Sequence, residues 1–217
     1  MDLTSLRAPS ATLQSARPSS RAVIDLAVAE ARDGAGLLVR LSPREKAALL
    51  RACMPNVVAA ADTWVREACR AKSIPFEQPV SAEEWLAGPV VTARNLRLLA
   101  ASFEDIATYG IPAPRLMPRR GSDGRVEVDV FPTSGIDRAL FSGFTCAVRF
   151  QEGVRIETAY AVRPGVLRRP TDGGVALVLG AGNVSSIPAM DALAMIFIED
   201  AACVLKMNPV NEWLGPI

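Results

Sequence analysis

The last 45 residues carry the pattern that most restricts the fold of this chain. Val175–Leu179 is apolar without alternation, as expected of a parallel strand that is buried on both faces. A turn of small residues follows in Gly180–Asn183, then a helix predicted from Ser186 to Ile198, and then a second buried strand in Ala202–Lys206. Strand, turn, helix and strand form a βαβ unit, whose crossover we expect to be right-handed.

The front of the chain has the signals of helices. A first helix is expected over residues 22–33, with Gly34 as its stop. Ser42–Glu45 forms a capping box that begins a second helix, which Pro55 should kink. Apolar residues at steps of three and four predict the buried stripe of this helix: Leu50, Cys53, Val57, Ala61, Val65 and Ala68.

A second capping box, Ser81–Glu84, predicts another helix start. This helix should break at Gly88-Pro89, because proline removes a backbone donor and glycine weakens a helix. A helix should resume from Val91 to Tyr109, with Gly110 as a left-handed stop.

The period of the apolar residues then changes to two. Alternation in Val126–Val130, Phe144–Phe150 and Val154–Tyr160 predicts three half-buried strands in an antiparallel sheet. The segments Gly121–Gly124 and Gln151–Gly153 have the composition of turns.

Composition excludes several classes of function. With 24 basic and 23 acidic residues, the net charge of +1 gives no electrostatic argument for a nucleic-acid partner or an anionic membrane. No stretch reaches the ~20 apolar residues of a membrane span. The chain has no histidine, which excludes a histidine base within it and argues against a zinc site. Four widely spaced cysteines are interpreted as reduced, buried side chains of a cytoplasmic protein: Cys53, Cys69, Cys146 and Cys203.

Two features at the ends of the predicted parallel strands could carry chemistry. Gly180 and Gly182 match the first two glycines of the dinucleotide fingerprint G-x-G-x-x-G, and Ser185 stands in place of the third. A Rossmann fold of this kind has an acidic residue at the end of the second strand, where this chain has Lys206. A lysine there can donate to ribose hydroxyls or to a phosphate. The alternatives are a tight βα turn without a ligand and a solvated lysine at a strand end.

The two features together are more specific. Val175–Asn183 and Val204–Pro209 resemble the opening of the cofactor domain in the NAD(P)-dependent aldehyde dehydrogenase superfamily. In that family a buried strand leads to a turn ending in Asn, often P-W-N, and a helix and a strand ending V-x-K-P or similar follow. Lys206 follows Asn183 by 23 positions, which fits the family without a gap. The resemblance extends from residue 22 onward, but it is only topological before the βαβ unit.

The resemblance implies a fold and residue roles. The fold is α/β, with N-terminal helices, antiparallel oligomerisation-type strands and the first βαβ unit of an incomplete Rossmann-like cofactor-binding domain. Asn183 would be the side-chain donor to the oxyanion that forms on the catalytic cysteine. Lys206 would contact the adenosine ribose or 2′-phosphate of NAD or NADP. The implied cofactor-binding residues are Leu179, Gly180, Ala181, Gly182, Asn183, Lys206, Asn208 and Pro209, and no metal is expected.

The chain also departs from the family pattern. Ala181 and Gly182 replace the Pro and Trp of P-W-N, and Pro209 stands where many NAD-preferring members have Glu, which leaves NAD versus NADP open. The family's glutamate base and cysteine nucleophile lie well downstream of the lysine. Cys203 lies within a predicted buried strand, where a thiol is unreactive. We therefore expect the chain to be the front part of such an enzyme, poorly stable and inactive by itself.

Four segments follow from this interpretation: a disordered tail or transit peptide (1–21), the helical part of the cofactor domain (22–113), an oligomerisation-type segment (114–170) and the nucleotide-binding core (171–217). The complete enzyme, a homo-oligomer (dimer or tetramer), would oxidise a small-molecule aldehyde through a thioester, with hydride passing to NAD(P). A second hypothesis is a non-catalytic nucleotide-binding or assembly module. A third is a small Rossmann-type reductase, against which Lys206 argues.

Overall fold

The computed structural model describes residues 18–112, 117–159 and 173–217 of a mixed α/β chain. The coarse α/β class predicted from sequence is therefore confirmed. Most of the predicted tail, and the Tyr160 end of the third predicted strand, lie outside the described residues. The described residues form two compact units, one made of 18–104 and 173–217 and the other of 105–112 and 117–159. No helix in these ranges has the length and apolar character needed to cross a membrane.

The first helix of the larger unit is longer than predicted. Helix α1 spans Arg21–Arg40 and starts at Ser20, whose hydroxyl accepts the Val23 N–H at 3.4 Å. The predicted stop at Gly34 is wrong, because the helix continues through this glycine. A glycine inside a helix costs only about 1 kcal/mol. Packing of α1 against the parallel strands of this unit offsets such a penalty.

The first capping box is confirmed. Helix α2 spans Pro43–Lys72, and the Ser42 hydroxyl accepts the Glu45 N–H at 3.3 Å. The Ser42 hydroxyl and the Ser42 N–H both donate to the Glu45 carboxylate, at 2.6 and 2.7 Å, and these two hydrogen bonds lower the pKa of Glu45. The helix continues through Pro55 without interruption. Of the predicted stripe, Leu50, Val65 and Ala68 are fully buried, whereas Cys53, Val57 and Ala61 are partly exposed.

The second capping box is wrong. Ser81 belongs to a short 3₁₀ turn before helix α3 (Ala82–Trp85), and its side chain caps no backbone N–H. Its backbone is helical, with φ −67° and ψ −15°, whereas a capping serine needs an extended backbone. Glu84 is buried instead and forms an ion pair of 2.6 Å with Lys72.

The predicted break at Gly88-Pro89 is confirmed. Residues Leu86–Val90 have π-type hydrogen bonding, and Gly88 has non-helical angles of φ −111° and ψ −106°. Helix α4 then spans Val91–Tyr109, as predicted, and Gly110 follows with a left-handed φ of +79°. The left-handed backbone of Gly110, which glycine adopts readily, thus ends this helix.

The larger unit also contains a parallel strand pair. Strand β4 is Gly174–Leu179 and strand β5 is Ala201–Lys206, with helix α6 (Ile187–Leu193) between them, extended by a π-type turn over Ala194–Ile198. The prediction that β4 is buried on both faces is wrong. Its residues alternate, so Val178 is buried while Leu177 and Leu179 are 65% and 69% exposed. Only one face of β4 is packed against neighbouring elements.

The smaller unit contains a three-stranded antiparallel sheet. Its strands are β1 (Arg119–Arg120), β2 (Val126–Phe131) and β3 (Cys146–Arg149), in that order, with helix α5 (Gly135–Leu140) between β2 and β3. Both predicted turns are present. The third predicted strand is wrong in its described part, where Ile156–Thr158 is a 3₁₀ turn. The N–H and hydroxyl of Thr158 both donate to the Arg155 carbonyl, and these local bonds close a turn instead of a ladder.

Burial in this sheet does not follow the predicted alternation. All four residues of β3 are exposed, including Cys146, so the interpretation of Cys146 as buried is wrong. Glu127 of β2, by contrast, is buried. Its carboxylate lies between its two register partners, with Arg119 Nη1 at 2.5 Å and Arg149 Nε at 2.8 Å. Arg119, Glu127 and Arg149 therefore form a row of paired charges across the three strands, and Glu127 is buried although the alternation predicted it to be exposed.

We expect Gly121→Ala to destabilise the smaller unit by about 1–3 kcal/mol, as overpacking does. A Cβ at position 121 would lie 2.5 Å from Oε1 of Glu127. This carboxylate cannot move without disturbing its bonds to both arginines. Gly135→Ala is the matched control, because no atom lies within 4 Å of its Cβ position. Urea unfolding of the two variants measures the difference, and equal stability would contradict the role given to Glu127.

Candidate functional site

The candidate site lies at the carboxyl ends of β4 and β5. Leu179 and Lys206 are register partners at these ends, and both are exposed. The Gly180 N–H donates to the Lys206 carbonyl at 2.8 Å, so the ladder extends one residue beyond β4. The turn Gly180–Asn183 and the segment after Lys206 therefore leave the sheet side by side. Carboxyl ends of parallel strands are where α/β sheets bind ligands.

The two glycines allow these segments to pack closely. A Cβ on Gly182 would lie 2.8 Å from Oδ1 of Asn208. A Cβ on Gly180 would lie 3.1 Å from Cγ of Pro188 and 3.2 Å from the Lys206 carbonyl oxygen. The chain itself thus requires a small residue at both positions, whether or not a ligand approaches. This supports the simpler interpretation of a tight βα turn for the glycines considered alone.

The polar side chains of the turn and of the segment after β5 differ in whether they are free to bind a ligand. Asn183 is exposed, and no described residue forms a hydrogen bond with its side chain. Asn208 is already engaged, because its Oδ1 accepts the Val210 N–H at 3.1 Å and begins the 3₁₀ turn Pro209–Leu214. Pro209 is exposed at the start of this turn. Asn183 and Lys206 are therefore the predicted polar side chains best placed to meet a ligand.

Sequence reasoning missed a residue that fixes the turn. Asn211 is 1% exposed, and its Nδ2 donates to the Ala181 carbonyl at 2.9 Å. A buried amide that satisfies a loop carbonyl restrains that loop, because breaking the bond leaves a buried polar group unpaired. The bond spans 30 positions, and no pattern along the chain relates the two residues.

Ser185, which occupies the third glycine position of the fingerprint, has a structural partner. Its hydroxyl accepts the indole N–H of Trp64 at 2.8 Å, and both side chains are buried. The neighbouring Ser186 is fully buried, and its hydroxyl has no hydrogen-bond partner in the described part of the chain. The segment between the turn and α6 is thereby anchored on α2, and it is closed to solvent.

The cysteines do not contribute a nucleophile to this edge. Burial raises the pKa of the Cys203 thiol, with a smaller opposing effect from a hydrogen bond with the Val178 backbone. Burial also raises the pKa of Cys69, helped by the nearby Glu84 carboxylate. Thiols with raised pKa values stay protonated at neutral pH and react slowly. All four cysteines are free, and no cluster of metal-ligating side chains occurs in the described ranges.

We expect iodoacetamide at neutral pH to alkylate Cys146 first. Cys146 is exposed, whereas Cys69 is buried and Cys203 is partly buried with a raised pKa. Peptide mass mapping over time should show Cys69 and Cys203 labelled more slowly than Cys146 until urea is added. Raising the pH should speed the labelling of Cys203, because more of its thiol ionises. Labelling of Cys203 as fast as Cys146 in the folded protein would contradict this assignment.

Comparisons with known proteins leave the family of this chain open. No protein-family model matches it, and no curated protein or solved structure matches it either. The case for a function therefore rests on the residues and the geometry at the edge of β4 and β5.

Proposed function

We propose that this chain contributes the cofactor-binding part of an NAD(P)-dependent aldehyde dehydrogenase. The observation that carries the proposal is the position of two exposed polar side chains, Asn183 and Lys206, at one edge of a parallel strand pair. The turn that holds Asn183 leaves β4 directly beside Lys206, as the Gly180 bond to the Lys206 carbonyl requires. This is the edge at which α/β sheets receive dinucleotides.

The residues at this edge fit a dinucleotide in charge and in accessibility. Lys206 brings an ammonium group with three donors, which suits ribose hydroxyls or a 2′-phosphate. Leu179 lies beside it on the same face and offers an exposed apolar surface to a ribose or a base. Pro209 stands where a glutamate would repel a 2′-phosphate. Because proline carries no charge, both NAD and NADP can be accepted.

Asn183 has a separate role in this proposal. Its amide N–H donates to the oxygen that becomes negatively charged when a cysteine thiolate adds to the aldehyde carbon. NAD(P), held by Lys206 and the turn Gly180–Asn183, would supply the acceptor for the hydride that leaves this carbon in forming the thioester. A donor held in place before the charge develops stabilises the transition state more than the substrate. The bond from Asn211 to Ala181 restrains the turn that carries this donor.

Cofactor titration of the 217-residue chain tests the proposal. We expect NAD⁺ or NADP⁺ to bind and Lys206→Ala to weaken binding about tenfold, the equivalent of one lost charge-assisted contact. Arg97→Ala is the control, because it removes an exposed cation of the same unit from α4. Isothermal titration calorimetry measures the three affinities. Equal affinity of the Lys206 variant and the wild type would contradict the cofactor site.

The Asn183→Ala variant separates catalysis from binding. We expect it to weaken cofactor binding less than Lys206→Ala does and, in the complete enzyme, mainly to lower kcat, about 10²–10³-fold, as the loss of an oxyanion donor does. Steady-state kinetics with an aldehyde substrate gives this value. Unchanged turnover would contradict the oxyanion role of Asn183, and cofactor binding without any aldehyde oxidation would favour the second candidate, a non-catalytic nucleotide-binding module. The observation that favours this candidate is the raised pKa of the Cys203 thiol, caused mainly by burial, which makes the cysteine of β5 a poor nucleophile.

A further inference from the structure

The smaller unit contains a polar cavity that is lined by residues of two turns. It lies between the turn Gly121–Gly124 and the turn Gln151–Gly153 and has a volume of about 400 Å³. The Phe150 N–H donates to the Val126 carbonyl at 2.9 Å, which brings the chain after β3 beside the start of β2. The two turns therefore form one depression. Its lining consists of Arg120, Asp123, Gly124, Arg125, Glu152, Gly153, Val154 and Arg155.

Arginine is the main charged residue of this lining. The Arg120 guanidinium donates to the Gly124 carbonyl at 3.1 Å, and no described carboxylate pairs with it. Arg155 has one long contact, 3.9 Å from Nε to Glu157, between side chains that are both about three-quarters exposed. An ion pair of this length between solvated groups holds neither partner firmly. Both guanidinium groups are therefore available to a ligand.

The carboxylates of the lining leave an excess of positive charge. Asp123 is shared between Arg125 and Arg149, each at 3.5 Å, and it accepts the Arg125 N–H at 3.1 Å. Arg149 is not part of the lining and pairs more closely with Glu127, at 2.8 Å, so the partner of Asp123 within the cavity is Arg125. Glu152 is the second carboxylate, and it has no partner among the described residues. Three guanidinium groups and two carboxylates thus line the cavity, a net charge of +1, and Arg120 and Arg155 are the guanidinium groups that Asp123 does not hold.

We infer that this depression, which we call the arginine pocket, binds the phosphate group of a small molecule. Guanidinium groups bind phosphate oxygens through paired, charge-assisted hydrogen bonds. Phosphate as a dianion can pair with both available arginines, because it has two charges and enough oxygens for two guanidinium groups. A monocarboxylate has one charge and two oxygens. The volume lies in the range of about 300–1,000 Å³ that is typical of small-molecule sites and exceeds what one phosphate fills. The negative charge of Glu152 repels the phosphate and lowers its affinity.

An NMR titration of the full chain with sodium phosphate tests the inference. Ionic strength is held constant with sodium chloride, and the amide signals of Gly124 and Gly153 are followed. We expect saturable shifts, at least about fivefold weaker binding for Arg120→Gln and for Arg155→Gln, and tighter binding for Glu152→Gln. Arg138→Gln, on α5 and outside the lining, should bind like the wild type. These substitutions are all on exposed side chains, so the variants should fold.

Titrations with two further ligands, acetate and ribose 5-phosphate, show which kind of anion the arginine pocket binds. Acetate should bind more weakly than phosphate, since it carries one charge. Tighter binding of ribose 5-phosphate than of inorganic phosphate assigns the arginine pocket to a phosphorylated metabolite, and equal binding assigns it to free phosphate. Shifts that stay linear in phosphate, or an equal loss in Arg138→Gln, would overturn the inference. So would unchanged binding in Glu152→Gln.

Discussion

Replacing Lys46 with methionine should lower the free energy of unfolding by about 3–5 kcal/mol, although methionine keeps most of the aliphatic volume. The Lys46 side chain is 2% exposed, and its ammonium group pairs with the Asp200 carboxylate, which is also buried. Nζ also donates to the Phe197 carbonyl at 3.3 Å and lies 5.3 Å from the centroid of the Phe103 ring. Without the lysine, Asp200 would lose a buried ion pair and the Phe197 carbonyl would lose a donor.

Urea unfolding of single and double variants isolates this ion pair. Asp200→Asn should also be strongly destabilising, because it leaves the Lys46 charge buried, and asparagine tolerates the left-handed φ of +53° at this position. Lys46→Met combined with Asp200→Asn should cost clearly less than the sum of the single changes, since neither charge then remains unpaired. The control is Arg51→Met, which breaks an ion pair to Glu104 whose side chains are 46% exposed, at a cost below about 1 kcal/mol. Additive losses in the double variant would contradict the pairing.

Lys46 also shows where sequence patterns stop being informative. It lies four residues before Leu50, on the face of α2 that the apolar stripe predicts to be buried. Lysine is almost never buried unless it is paired, so the periodicity alone gives no reason to place it inside. Its partner Asp200 is 154 positions away, in the turn between the extension of α6 and β5. Only the three-dimensional fold brings the two charges together.

The predictions that were confirmed depend on short-range chemistry. The capping box at Ser42 and the left-handed stop at Gly110 each involve a few neighbouring residues, whose hydrogen bonds or φ angles are set locally. The capping box predicted at Ser81 has the same residue pattern and failed. There Glu84 is buried and paired with Lys72, twelve positions earlier, so a tertiary contact replaced the local bond.

Burial and site geometry were harder to predict for the same reason. The apolar run of β4 shows that a strand is favoured, but it cannot show how many layers cover that strand, and Leu177 and Leu179 are in fact exposed. At the candidate site, sequence identified the turn and the lysine beside it. It missed Asn211, whose bond to the Ala181 carbonyl depends on how two loops meet. The order of elements in the larger unit was therefore predictable, whereas the contacts that hold the site were not.

Replacing Trp64 with alanine should destabilise the protein by about 3–5 kcal/mol, as the loss of a buried aromatic side chain does. Trp64 is 5% exposed and lies on α2, where its indole N–H donates to the Ser185 hydroxyl at 2.8 Å. A Cβ on Gly88 would lie only 3.0 Å from the indole Nε1, so the ring also fills the space at the break before α4. One side chain thus joins α2, this break and the segment that enters α6.

Trp64→Phe distinguishes the hydrogen bond from the packing. It keeps an aromatic ring but leaves the buried Ser185 hydroxyl without its donor, at an expected cost of about 1–3 kcal/mol. Adding Ser185→Ala to this variant should cost little more, because the unpaired hydroxyl is then removed. Trp213→Phe is the matched control, since its indole N–H donates to the nearby Val210 carbonyl at 2.9 Å in a part-buried position that water can reach. Equal losses for Trp64→Phe and Trp213→Phe in urea unfolding would show that the Ser185 bond does not anchor the segment leading from the turn to α6.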